Sequence, residues 1–369
     1  MSDDAPTLQI VTRQQLESGD VHARWDDPAR LALPTPAKRQ ALLSNPFSVP
    51  EDPAQIIGLI GNQVVGRMDV IPGEISVMGT PTRVLYGSLL FVEEKFRHTG
   101  IGLMILLKMQ SLHHTVAVCG ISQMIYPMYQ KLRWIDFPMR RMVMVRRSRA
   151  VMDSLIGNRL VSRTASVAAD VALFAQRSIL RALLAIRLRG LEIAGEKSIP
   201  PELEASLRGG DGQIASSRTA AWCDWLLANR FDGDSTQRRQ LLVIRERGGK
   251  PLAFCLTKSR HYSSVTQRQL KNITLGSVQD WMTMDAQKVS ESTLVLLAVD
   301  SLLRSKVDAV EVCCQQPQLA SFLKHRGFVG AGMLHYLLRA VPPSPLFKKD
   351  LHRPELWRLR PDEGDNFFS

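Results

Sequence analysis

The sequence predicts an α+β protein (an α/β mixed sheet with helices packed on it), built as two similar domains joined by a helical connector. Residues 83–112 have the pattern of a buried strand, a glycine-containing turn and an apolar helix. Strand and helix patterns alternate again over 240–339. Between the halves, residues 171–191 have high helix propensity and no acidic residue. The predicted boundaries are 1–148 for the first domain, 149–199 for the connector, 200–342 for the second domain and 343–369 for an extended tail.

Each element of the first half has its own signal. Apolar runs bounded by turns predict strands, and Asn45-Pro46 ends a short helix because proline cannot continue it. Gly61-Asn62 predicts a hairpin, and Pro72-Gly73 predicts a further turn. The predicted strands are 8–11, 56–60, 64–70, 83–92, 115–121 and 140–145, and the predicted helices are 37–43, 101–112 and 124–132.

Composition narrows the class of protein. The 369 residues are 45% hydrophobic and 22% charged, which is typical of a folded chain long enough for two domains. A net charge of +12 favours anionic partners. Nucleic acid is a poor candidate, since only 6% of residues are aromatic and no nucleic-acid motif is recognised. The acidic start lacks an apolar signal core and no run is long enough to span a bilayer, so we expect a cytoplasmic protein.

The five cysteines show neither a Cys-x-x-Cys pair nor a metal-ligand spacing, so we expect buried free thiols and no metal.

The turn before the 101–112 helix is a candidate phosphate site. It aims backbone N–H groups and the positive end of a helix dipole at one point, and glycine keeps side chains away from those amides. It is neither a Walker A loop nor a Gly-x-Gly-x-x-Gly dinucleotide fingerprint. The residues of this turn are Arg97, His98, Thr99, Gly100, Ile101 and Gly102.

This Arg-x-x-Gly-x-Gly turn after a strand resembles the acetyl-CoA-binding motif of the Gcn5-related N-acetyltransferase (GNAT) superfamily. Residues 129–134, Tyr-Gln-Lys-Leu-Arg-Trp, resemble the Tyr-x-Lys-Leu-Gly-Phe of that family, with Arg133-Trp134 departing from Gly-Phe. The element order also matches the GNAT fold up to Arg147. The resemblance implies acetyl-CoA or another acyl-CoA as co-substrate, held by Phe91, Val92 and the turn residues 97–102.

The resemblance also implies that Tyr129 protonates the departing thiolate, a task that a phenol can perform. The alternative is that Tyr129 only packs its helix onto the sheet, in which case Tyr126, three residues earlier, is the fallback. A general base is not evident, because the strand 86–92 contains no acid. Glu93 and Glu94 follow it but are better explained as solvated charges. The base comes from elsewhere, or water carries the proton, or the amine arrives neutral.

The predicted connector carries Arg177, Arg181, Arg187 and Arg189 among apolar residues. One interpretation is a helix packed between domains with its arginines reaching outward. The other is a basic interfacial helix that contacts an anionic membrane.

The second half predicts a degenerate copy of the first. Its segment 225–231 resembles 41–47, and its Leu323 to Phe328 resembles 129–134 with Leu323 in place of the tyrosine, but it has no Gly-x-Gly turn. We therefore predict a tandem GNAT-like acyl-CoA-dependent N-acyltransferase. It would transfer an acetyl or longer acyl group to a small-molecule amine acceptor, for which an anionic or sugar-linked compound suits the basic surface. The alternative is a non-catalytic GNAT-fold binding or assembly module.

Overall fold

A computed structural model of the chain describes residues 5–19, 36–148, 159–207, 213–229, 236–265 and 270–361. The chain forms two compact units. Unit 1 comprises Met1–Pro138, Leu207–Asp234 and His335–Ser369, and unit 2 comprises Met139–Ser206 and Ser235–Leu334. Each unit has its own hydrophobic core.

The strands and helices lie close to where apolar periodicity predicts them, and the helix predicted at 101–112 has those bounds. The strands are β1 (Pro6–Thr12), β2 (Pro53–Ile60), β3 (Gln63–Val77), β4 (Thr80–Val92), β5 (Thr115–Cys119), β6 (Ile135–Val145), β7 (Leu191–Glu196), β8 (Ile214–Ser216), β9 (Arg238–Glu246), β10 (Pro251–Val265), β11 (Leu270–Thr283), β12 (Ala309–Cys314), β13 (Val329–Ala340) and β14 (Trp357–Arg358). The helices are α1 (Arg13–Ser18), α2 (Pro36–Leu43), α3 (Ile101–Leu112), α4 (Tyr126–Lys131), α5 (Arg159–Arg187), α6 (Pro201–Leu207), α7 (Ala220–Ala228), α8 (Glu291–Arg304) and α9 (Pro317–His325).

In unit 1 the strand order is β1-β2-β3-β4-β5, followed by the last part of β13. The pairs are antiparallel except for the parallel pair β4–β5. Helix α3 packs on this sheet through Ile101, Ile105 and Met109, which are fully buried. A Cβ at Gly58 would lie 2.7 Å from Cγ1 of Ile101, so this glycine lets α3 approach β2 closely.

In unit 2 the order is the last part of β6, then β12-β11-β10-β9-β7, with β11 and β12 parallel. Helices α5 and α8 pack together here: Leu180, Leu184 and Leu188 join the buried face of α8 in one core. The predicted connector therefore contributes core residues to unit 2, while its residues 149–158 lie outside the described part of the chain.

The closing strand of each half belongs to the other half's unit. Residues 336–340 of β13 pair with β5 in unit 1, and residues 140–145 of β6 pair with β12 in unit 2. The domain boundaries predicted from the sequence place residues 140–145 in the first domain and residues 336–340 in the second. The structure shows the opposite assignment. Alternation of apolar residues identifies a strand but does not identify the strand with which it pairs.

Helix α7 also lies in unit 1, although its sequence is in the second half. The Trp225 indole N–H donates a hydrogen bond to the Ala41 carbonyl (2.8 Å), and the rings of Phe47 and Trp222 lie 5.4 Å apart. The two segments with similar sequences are thus in contact with one another; Phe231, at the end of the second, lies outside the described residues.

Two local expectations were wrong. Pro72-Gly73 is not a turn but the middle of β3, where Pro72 pairs with Leu85. The glycine is needed because a Cβ at Gly73 would lie 2.7 Å from the Tyr86 ring.

The tail, predicted to be extended, forms short 3-10 turns and β14 as far as it is described. Its Trp357 is buried, with its ring 4.4 Å from that of Phe137.

The five cysteines are buried thiols that form no disulfide, as predicted. Desolvation raises the pKa of Cys255, which keeps this thiol protonated.

Within the described residues, no helix combines the length and the apolar character needed to cross a bilayer.

Candidate active site

Strand β4 carries a β-bulge near its carboxyl end. Ser88 lies opposite Asp69 and Phe91 lies opposite Arg67, so β4 has two residues where β3 has one. Leu89, within the bulge, has a φ of 52°, in the left-handed region that a leucine rarely adopts. A bulge bends its strand and interrupts the regular hydrogen-bond ladder.

The ladder between β4 and β5 ends just before this bulge. The two strands pair in parallel only from Leu85 to Gly87, against Val116 to Val118, while β4 continues to Val92. Five residues of β4 therefore extend past the described ladder with β5. An extended ligand that carries amide groups can pair with such a strand edge.

The turn after β4 leads directly to the start of α3. Gly100, with a φ of 78°, is the N-cap of α3 and provides no side-chain cap. The N–H groups of Leu103 and Met104 both donate to the Gly100 carbonyl (3.0 and 3.1 Å), and these are the first hydrogen bonds of the helix. The backbone N–H groups that precede Leu103 therefore have no acceptor within the helix. A Cβ at Gly100 would meet nothing within 4 Å, which leaves open space for an anion at the positive end of the helix.

The predicted turn residues have different roles in this geometry. Gly102 lies close to β4, where a Cβ would make a tight contact of 3.2 Å with Cγ2 of Val92. Ile101 is fully buried in the core, so it presents only its backbone N–H. Thr99 donates to the Phe96 carbonyl (2.7 Å), which stabilises the turn. Arg97 and His98 are exposed, and the Arg97 Nε donates to the Val92 carbonyl (3.3 Å), which places its guanidinium beside the end of β4.

A cluster of Tyr126, Asp136 and His335 lies at the end of β5. The Tyr126 hydroxyl donates to Oδ2 of Asp136 (2.6 Å), and Nδ1 of His335 lies 2.9 Å from the same oxygen. The Gly120 N–H, one residue after β5, donates to the His335 carbonyl (3.1 Å). This fixes the cluster at the carboxyl end of β5, the same end at which the ladder between β4 and β5 stops. All three residues belong to unit 1.

The electrostatics of the cluster determine where protons reside. The hydrogen bond to Asp136, together with desolvation and the negative charge of that carboxylate, raises the pKa of Tyr126, so the phenol keeps its proton. With Nδ1 of His335 turned to the carboxylate, Nε2 is the nitrogen left to exchange a proton. The side chains of His335 and Asp136 are each 23% exposed, which gives solvent access to the pair.

Solved structures with the same fold are known. The S. cerevisiae N-myristoyltransferase with bound myristoyl-CoA superimposes with a TM-score of 0.55 at 12% identity, covering 100% of this chain and 83% of that one. A probable N-acyltransferase from Enterococcus faecalis gives 0.51 at 10% identity, covering 94% and 75%. A GCN5-related N-acetyltransferase from Anabaena variabilis gives 0.50 at 9% identity, covering 90% and 72%. The fold is GNAT-like. Neither a family description nor a curated protein matches the sequence.

Within this GNAT-like fold, Tyr129 is a core residue. Its side chain is 1% exposed, and its ring lies edge-on to Trp134 with 5.0 Å between centroids. Arg133, where the family pattern has glycine, adopts a φ of 59°, the left-handed conformation that glycine favours. Gly327 occupies the corresponding place in the second half, with a φ of 83°. The backbone at Arg133 thus keeps the geometry expected of the glycine.

The strand beside β4 contains a carboxylate that sequence reasoning did not single out. Asp69 on β3 is completely buried, and its two oxygens accept hydrogen bonds from Gln55 (2.6 Å) and from Lys38. Because both oxygens are occupied by buried partners, this group is suited to holding α2 on the sheet rather than to accepting a proton from a substrate. The described residues contain no group of three or more acidic, His or Cys side chains suited to a metal.

Proposed function

We propose that the chain is an acyl-CoA-dependent N-acyltransferase. The observation that carries this proposal is the end of β4, which continues past its ladder with β5 and leads to the glycine N-cap of α3. The pyrophosphate of CoA would bind the N–H groups between His98 and Gly102, with the Arg97 guanidinium beside it. The pantetheine amides would pair along β4 up to Val92, next to the exposed Phe91. Structural neighbours with bound myristoyl-CoA support the proposal.

The reaction is the attack of an amine nitrogen on the thioester carbonyl. A carbon–nitrogen bond forms, the carbon–sulfur bond breaks with its electron pair going to sulfur, and the thiolate takes a proton. The attacking nitrogen loses a proton to a base. The protein therefore has two tasks, donating a proton on the sulfur side and accepting one on the nitrogen side.

Tyr129 is the proposed proton donor to sulfur, on the family pattern, and His335 is the proposed proton acceptor. Asp136 fixes the tautomer of His335 by accepting from Nδ1, which leaves Nε2 as the base. Tyr126 holds Asp136 from the other side, and its hydroxyl proton is engaged in that hydrogen bond. The acceptor would be a small amine, and an anionic or sugar-linked one would suit the net charge of +12.

Calorimetry with acetyl-CoA and longer acyl-CoAs tests the binding step. We expect the unmodified chain to bind, and Gly100→Asp to weaken binding by about 100-fold, since like charges in contact cost several kcal/mol. Gly100→Asn, which also tolerates a positive φ but carries no charge, should have a smaller effect. Gly19→Asp is the matched control, because Gly19 has a φ of 80° and equally open space. A folded sample that binds no acyl-CoA would overturn the proposal.

Steady-state kinetics with an accepted amine test the proton assignments. We expect Tyr129→Phe and His335→Gln each to lower kcat by about 100-fold, the range for a general acid or base, with little change in acyl-CoA affinity. If His335→Gln keeps full turnover, the base is another group.

A second candidate function is a non-catalytic binding or assembly module. The absence of an acid from residues 86–92 and the occupied oxygens of Asp69 favour it. In that case acyl-CoA would bind at Gly100 but would not be consumed with any amine. We also propose that the second half is a degenerate tandem copy, which would contribute structure rather than a cofactor site.

A further inference from the structure

Helix α5 has a buried face that fixes its orientation in unit 2. Leu180, Leu184 and Leu188 are spaced four residues apart and lie in the core with the apolar face of α8. Gln176, one turn before Leu180, donates to the Arg326 carbonyl. Leucines in this part of the helix are thus accounted for by packing inside unit 2.

The opposite face of α5 is apolar and exposed. Its large side chains are strongly exposed and follow a helical spacing, and the smaller residues among them are alanines and one serine. A helix on the surface of a globular protein normally has charged or polar residues here. A contiguous exposed apolar surface marks an interaction site. The exposed large residues are Val171 (66%), Phe174 (63%), Ile179 (59%) and Ile186 (72%), with Ala175, Ser178, Ala182 and Ala185 exposed between them.

Positive charge borders this face. Arg181 lies on one edge, where its Nε contacts Oδ1 of Asp300 (3.0 Å), and Arg187 lies on the other, where it donates to the Thr293 hydroxyl (3.2 Å). Arg189 is exposed just after the helix, and residues 171–191 contain no acid. Asp300 is almost completely buried and is shared with Arg304, whose side chain is 67% exposed. The edge facing solvent is therefore basic.

We propose that this face of α5 binds the surface of an anionic membrane, with the helix lying in the plane of the lipid headgroups. An apolar face bordered by arginines is the composition of an interfacial helix. From Val171 to Ile186 the face is about 23 Å long at 1.5 Å per residue, which suits lying on a bilayer. A second copy of this chain fits less well, because symmetric pairing would bring the same arginines together.

Vesicle co-sedimentation of the full chain tests this proposal. The vesicles are phosphatidylcholine alone or an equal mixture with phosphatidylserine. We expect binding to the mixed vesicles that decreases with salt. Phe174→Ser with Ile186→Ser should weaken partitioning by about tenfold or more for each residue, and Arg187→Gln with Arg189→Gln by about fivefold for each charge. Val329→Ser, which removes a 60% exposed apolar side chain elsewhere in unit 2, is the matched control.

Three outcomes would overturn the proposal. The first is a folded chain that does not sediment with the mixed vesicles. The second is equal sedimentation of the Phe174/Ile186 variant and the Val329→Ser control. The third is a dimer in analytical ultracentrifugation that the Phe174/Ile186 substitutions dissociate, without any vesicle binding, which would make a second copy the occupant. None of these outcomes depends on whether the chain binds acyl-CoA.

Discussion

The two halves contain the same strand–helix–strand arrangement, yet they differ at the end of the leading strand and at the start of the helix. In unit 1, β4 is followed by α3 and pairs in parallel with β5; in unit 2, β11 is followed by α8 and pairs in parallel with β12. Both leading strands carry a bulge. In β11 it is at Gln279, because Leu256 lies opposite Asp280 and Thr257 opposite Val278. The bulge alone therefore does not distinguish them.

The first difference between the two halves lies at the start of the helix. The Gly100 N-cap of α3 has no side chain to satisfy the free N–H groups. The Ser290 N-cap of α8 accepts from the Thr293 N–H (3.3 Å), and Glu291 places a carboxylate in the first turn. An anion would find the N-terminus of α8 already occupied and negatively charged.

The residues after the bulge distinguish them as well. In β4, Leu90 and Val92 are partly exposed and Phe91 is 38% exposed. In β11, Trp281 is almost completely buried and its indole N–H donates to Oε1 of Glu291 (2.7 Å). After its bulge, the second half thus carries a buried indole, whereas the first half carries a partly exposed phenyl ring.

The largest expected effect is on the free energy of unfolding, which we expect to depend strongly on Trp281 and only weakly on Phe91. Trp281→Ala should lower the free energy of unfolding by about 3–5 kcal/mol, because it leaves a cavity in the core of unit 2. Phe91→Ala, at an exposed position, should change it by less than about 0.5 kcal/mol. Denaturant titration followed by circular dichroism measures both.

Acyl-CoA calorimetry on the same two variants completes this comparison. Phe91→Ala should weaken binding and Trp281→Ala should leave it unchanged. A Phe91→Ala variant that loses stability but binds normally would show that the end of β4 serves packing, as β11 does.

Much of the fold was predictable from local pattern. The helix at 101–112 has the predicted bounds, because strong apolar periodicity and an adjacent turn define it. The partners of β6 and β13 were not predictable, since strand pairing between segments more than 160 residues apart leaves no local signal. Pro72-Gly73 misled because a glycine needed for close packing has the same appearance as a glycine in a turn.

The candidate site was predictable only where it is local. Gly100 was identifiable, since a glycine between a strand and a helix indicates an amide-lined turn. The bulge at Leu89 was not, because leucine has no preference for a positive φ. Asp136 and His335 are 199 residues apart, and no sequence feature connects them before the strands are placed.

The smallest expected effect tests whether capping is the reason that α8 has no anion site. Ser290→Ala should lower the free energy of unfolding by about 1 kcal/mol, because the side chain no longer accepts from the Thr293 N–H, whereas Ser290→Gly should cost only a few tenths. Neither change should create acyl-CoA binding at α8, because Trp281 and Glu291 stay in place. Denaturant midpoints and calorimetry measure the two effects. If Ser290→Gly adds a second acyl-CoA site, the cap alone separates the halves, and the buried indole of Trp281 is incidental to the difference.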